Sequence, residues 1–62
     1  MSVHIENAKC VKATEAAILV EIEGAQHWIP QSCVTDESEV WKEGQEGTLV
    51  ITDWIAEQKG LA

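Results

Sequence analysis

The chain has no arginine, no tyrosine and no phenylalanine, and only one proline, two cysteines and four glycines among its 62 residues. Each shortage narrows the field. Lys9, Lys12, Lys42 and Lys59 are the only basic side chains apart from two histidines, and eleven acids set the net charge at −7. Nucleic-acid affinity rests largely on counterion release by Lys and Arg, and planar recognition of guanine or phosphate is arginine's task, so partners held by their phosphates are disfavoured. Anionic membrane surfaces are disfavoured for the same reason. The longest apolar run, Ala16 to Val20, is strand-sized and falls far short of the roughly 18 residues of a spanning helix. Met1 to Glu6 carries neither the basic region nor the apolar stretch of a signal peptide, so a cytoplasmic protein with reduced thiols is expected.

What is present reads as one small domain covering residues 1–62. At this length folding buries only about 60% of the unfolded chain's surface, too little for a catalytic cleft beneath a lid. A hydrophobic fraction of 45% with 24% charged residues is nevertheless a globular composition.

Periodicity points to strands. Ile18, Val20 and Ile22 alternate with Leu19, Glu21 and Glu23, the pattern of a half-exposed strand that stops at Gly24. Val3 and Ile5 fall on odd positions but Ala8 and Cys10 on even ones, so a β-bulge, or the start of the strand proper, is expected near Asn7. Thr14-Glu15 should turn Ala8–Ala13 back against Ala16–Glu23 as an antiparallel pair. Gln26–Ile29 reads as a third strand after a Gly24-Ala25 turn, with Pro30 ending its ladder. Val40-Trp41 reads as a brief fourth strand, and Gly44 and Gly47 as turn glycines with positive φ. Thr48–Thr52 is the strongest β run; Leu49 and Ile51 share one face and Val50 the other, so cover on both sides is expected. Asp53 should cap a helix of about two turns starting at Trp54, closed by Gly60 at C′ and Leu61 at C″ of a Schellman motif. So short a helix needs Trp54 and Ile55 to pack on the sheet or on another chain. Four or five short strands with a short C-terminal helix predict a mainly β fold, a small antiparallel β-barrel of SH3-like form with an OB-like barrel as second choice.

Chemistry is hard to find in this string. No nucleophile with its base, no paired carboxylates and no phosphate-binding glycine loop can be read, so no enzyme is expected and no catalytic residue or cofactor is assigned. His4 precedes Cys10 by six residues and His27 precedes Cys33 by six. In an extended strand that spacing covers about 20 Å, against the short ligand loops of zinc modules, so no metal site is assigned and the cysteines read as small buried apolar residues.

Trp28, Trp41 and Trp54 are the only aromatic side chains. The first reading is that at least two of them fill the core of so small a domain, and the functional reading is that one or two sit exposed as interface anchors. Asp36, Glu37, Glu39, Glu43 and Glu46 make an acidic stretch that reads first as a solvated face and second as a mimic of nucleic-acid charge.

The segments His27-Trp28-Ile29-Pro30-Gln31-Ser32, Ser38-Glu39-Val40-Trp41, Gly47-Thr48-Leu49-Val50-Ile51 and Trp54-Ile55-Ala56-Glu57, with Gly44 and Lys59-Gly60-Leu61, resemble a family of short bacterial and phage-encoded proteins of no assigned activity. The resemblance covers the last two thirds of the chain and extends to a module attached to, or encoded near, phage replication and recombination proteins. It implies a phage accessory role in the host cytoplasm and no catalytic residues.

The leading expectation is a non-enzymatic phage or prophage module that binds another protein through Trp28, Trp41 or Trp54 with acids at the rim. A second copy of the chain is one candidate partner, because so small a core gains from pairing. The alternatives are a nucleotide or single-strand nucleic-acid binder in which Lys12 and Lys42, with Lys9, converge beside a tryptophan, an acidic inhibitor that mimics nucleic-acid charge, and a structural element of a larger assembly.

Overall fold

A computed structural model describes residues 1–61. They form four strands and one short helix: β1 (Ser2–Ala13), β2 (Ala17–Ile22), β3 (Ala25–Pro30), β4 (Glu46–Thr52) and α1 (Asp53–Gln58), with a single 3₁₀ turn at Gln31–Cys33. All strand pairs are antiparallel, in one sheet of order β3-β2-β1-β4. The fold is mainly β, as expected, but the sheet is not a closed barrel. After Pro30 the chain leaves the ladder and reaches the outer edge of β4 through one bridge, Val34 with Ile51. Loop backbone thus occupies the place that β3 would need in order to close the sheet.

β1 organises the sheet. Ser2–Ile5 pair with β4, Ala8 and Lys9 with both neighbours, and Cys10–Ala13 with β2. The register slips between Ile5 and Ala8, and Asn7 takes φ +60° there, so the parity change read from the sequence is a β-bulge. A second slip at Val11, between Cys10 and Lys12, left no mark in the sequence pattern. Together the two slips let Val3, Ile5, Ala8, Cys10 and Ala13 all reach the core face of one strand.

The β1–β2 turn is closed by Thr14, whose hydroxyl donates to Ala17 O (2.9 Å) and accepts from Ala17 N (3.1 Å). The β2–β3 turn sits one residue earlier than expected, at Glu23-Gly24, with φ +52° and +82°. Two positive φ values in a two-residue loop are the hairpin geometry whose twist matches the strands, and Ile22 then pairs with Ala25.

The core is wholly aliphatic apart from Cys10: Ala8, Ile18, Val20, Ile22, Ile29, Val40, Leu49, Ile51, Ile55 and Ala56 complete it. Leu49, Val50 and Ile51 are all buried, so β4 is covered on both sides, as the apolar run predicts. Val40-Trp41 is not a strand. Ser38 Oγ accepts from Val40 N (3.2 Å) and donates to Val40 O (2.8 Å), so a side chain takes the place of a partner strand for this buried valine.

α1 begins at Asp53, inside the first turn, with Thr52 at the N-cap and no side-chain capping bond. The C-terminal end matches expectation. Leu61 N donates to Ala56 O (2.7 Å) and Gly60 N to Glu57 O (3.2 Å), with Gly60 at φ +71°: the two bonds of a Schellman motif. Ile55, Ala56 and Leu61 pack on the core, whereas Trp54 does not.

Candidate functional site

The three tryptophans were expected mostly inside, and all three are outside: Trp28 is 45% exposed, Trp41 54% and Trp54 60%. Each has a local cause. Ile29 pairs with Ile18 on the core face, so Trp28, one residue earlier, must point to the other side. Ile55 and Ala56 turn α1 inward and leave Trp54 off the buried face. Trp41 follows the Ser38-tied Val40, and its own backbone N–H donates to Gln45 Oε1 at 3.0 Å. Gln45 in turn joins the loop to the sheet: its O accepts from Cys10 N and the adjacent Gly44 N donates to Cys10 O, both at 2.9 Å.

The lysines divide. Lys12 lies opposite Leu19, which lies opposite Trp28, so these three share one row across the outer face of the sheet. Lys9 is on the same face but lies between Glu21 on β2 and Glu46 on β4. Lys42 is exposed in the loop after Trp41. Among the described residues no lysine forms an ion pair; the one pair is His4 Nε2 with Glu37 Oε2 at 4.0 Å, both well exposed.

The histidines and cysteines do not gather. Cys10 is buried in the core and Cys33 is half-buried against it, while His4 lies on the outer face opposite Val50 and His27 on β3 opposite Val20. Among the described residues no three His, Cys, Asp or Glu side chains come together as a metal-binding group. Burial pushes the Cys10 thiol above its ordinary pKa, a hydrogen bond at the Lys12 backbone opposes that shift, and the charge of Glu43 adds to it. A thiol so placed is a poor nucleophile.

Of the three indoles, Trp41 lines a groove. Its volume is about 370 Å³, and Ile18 and Val34 supply apolar lining while Gln31, Thr35 and Asp36 supply polar groups. Gln31 is fixed at both ends, its N–H on Ala16 O and its Nε2 on Thr14 O. The Thr35–Ser38 turn, with Ser38 N donating to Thr35 O at 3.1 Å, carries Asp36 and Glu37 at its exposed tip. Among the described residues no lysine lines this groove.

Comparison with known proteins yields no match of any kind: no family model, no curated protein and no solved structure. No local pattern announces the groove, because it is built from β2, the 3₁₀ turn and a loop that come together only in the folded chain. Trp28's exposure was within reach, since the alternation that sends Ile29 inward sends its neighbour outward. Among the described residues no helix is long and apolar enough to cross a membrane.

Proposed function

We propose that this chain is a non-enzymatic accessory module of phage or prophage origin, acting in the host cytoplasm, that binds another protein through exposed tryptophan with acids at the rim. The observation that carries this reading is the exposure of all three indoles in a domain whose core holds no aromatic side chain. Exposed tryptophan is an expensive choice for a surface and a favoured one for an interface. We further propose an SH3-like form for this antiparallel sheet over an OB-like one, a preference supported by the shortness of the chain. Lys12 shares a row with Trp28, but the net charge of −7 and the position of Lys9 between Glu21 and Glu46 weigh against the nucleic-acid alternative.

Panning a random peptide library on the immobilised protein and on its Trp28→Ala, Trp41→Ala and Trp54→Ala variants tests the binding reading. Enriched peptides that lose binding on at least one variant are expected. Failure to enrich any saturable binder sinks the reading.

One observation favours a second copy as partner. β3 is an edge strand without a single charged residue, and among the described residues its outer side pairs with nothing. A chain of net charge −7 has few surfaces that tolerate their own copy, and this is one. Light scattering over a dilution series decides it; a monomer at every concentration removes the second copy.

A further inference from the structure

We infer that the Trp41 groove is a receptor for a cationic side chain, a lysine or arginine carried on an extended segment of the partner protein. The inference rests on the binding reading above and adds to it the site and the chemistry of the ligand.

The groove asks for a long side chain that is apolar along its length and positive at its tip. Val34 is half-buried and offers aliphatic surface to a methylene stem, with Ile18 fully buried beneath it as an apolar floor. The indole of Trp41 stands beside it with more than half of its surface open, and tryptophan has the strongest ring face for a cation. Asp36 lies on the same lining and supplies the counter-charge, with Glu37 next to it on the exposed turn. Gln31 adds a side-chain amide whose oxygen can accept from an ammonium or guanidinium. Other ligands fit less well. A purely apolar side chain would desolvate Asp36 without pairing it. A phosphate or carboxylate would meet Asp36 with no lysine on the lining, in a protein of net charge −7.

The test is two-dimensional NMR of the indole N–H signals, in which each Trp→Ala variant removes and so assigns one of three peaks. The probes are acetyl-Gly-Ser-Lys-Lys-Ser-Gly-amide, its arginine counterpart and a version with norleucine for lysine, each titrated to about 10 mM, because one cation–π contact with one exposed ion pair supports only millimolar affinity. The expected result is a saturable movement of the Trp41 peak with the lysine and arginine peptides, reduced when salt rises from about 20 to about 300 mM. Asp36→Asn should weaken it several-fold, Asp36→Glu should retain it, and the norleucine peptide should leave the peak still. Unchanged Trp28 and Trp54 peaks in the Asp36 variants certify the fold. The inference is overturned if norleucine moves Trp41 as lysine does, if the Trp28 or Trp54 peak moves instead, or if no peak moves at the highest concentration. In those cases the library panning still judges the broader reading on its own: peptides that depend on Trp28 or Trp54 would keep protein binding and remove this groove from it.

Discussion

The two edges of the sheet are treated in opposite ways. Along β4, Thr35 N donates to Val50 O (3.0 Å), Ser38 Oγ accepts from Val50 N (3.1 Å), Glu39 N donates to Thr48 O (2.9 Å) and Glu39 Oε1 accepts from Thr48 N (2.9 Å). A loop with no strand of its own satisfies the β4 edge almost group by group. Among the described residues β3 has no such cover. Counting from its two-residue turn, Ala25, His27 and Ile29 direct their backbone groups to β2, and Gln26 and Trp28 direct theirs outward. Pro30 occupies the next outward position and has no N–H to offer. The protein therefore invests its irregular chain in sealing one edge, and the same investment builds the groove under Trp41. The other edge it keeps short and ends with a proline.

The sealed edge should therefore be fragile and the open edge indifferent. Ser38→Ala should have the largest effect, because it strips the acceptor from two buried N–H groups, Val40 and Val50, at a cost of about 2–4 kcal/mol in urea unfolding followed by far-ultraviolet circular dichroism. A loss below about 1 kcal/mol would mean that water or backbone replaces the hydroxyl and that the loop is not held by it.

Gly47→Ala comes next. Gly47 has φ +149°, and an added Cβ would lie 2.9 Å from Glu39 Oε1, the atom that accepts from Thr48 N. The sequence suggests a hairpin glycine here; its actual constraint is the close approach of the loop to β4. The expected loss is about 1–3 kcal/mol, read from the same unfolding curves. Adding Glu39→Ala should recover part of it if the clash dominates.

The open side offers a gain instead. Glu23 holds a left-handed conformation in the β2–β3 turn that a carboxylate side chain of its length gains nothing from, so Glu23→Asn should raise the stability by about 0.5–1 kcal/mol. A destabilised variant would show that the turn geometry is not what limits this hairpin. The smallest effect is expected at Gln26→Lys on the β3 edge, a change in stability within about 0.5 kcal/mol. The same variant should abolish any concentration-dependent self-association seen by light scattering, since a charge on an edge strand opposes pairing.

Much of the sheet can be read in the string because its signals are local. The alternation from Ile18 to Ile22, the parity change at Asn7 and the Gly60-Leu61 ending of α1 each depend on a few neighbouring residues, and each appears in the structure. Legibility fails where a residue answers to something distant in sequence. Val40 is buried because Ser38 and β4 hold it, so the β-like pair Val40-Trp41 suggests a strand that is not there. Barrel closure fails similarly, since nothing near β3 announces that Val34 will take the edge of β4. The candidate site was half visible. The sequence marks Trp41 as a binding residue, but its companions Ile18, Gln31 and Asp36 carry no shared motif and meet only through the fold.

A core without a single aromatic ring also decides what light can report about this molecule. Every indole is already about half open to water, so unfolding should move the emission colour less than the release of a buried ring would. The same arrangement makes the chain a good surface sensor: when something covers Trp28, Trp41 or Trp54, the spectrum shifts to the blue against a background that the interior never contributes to.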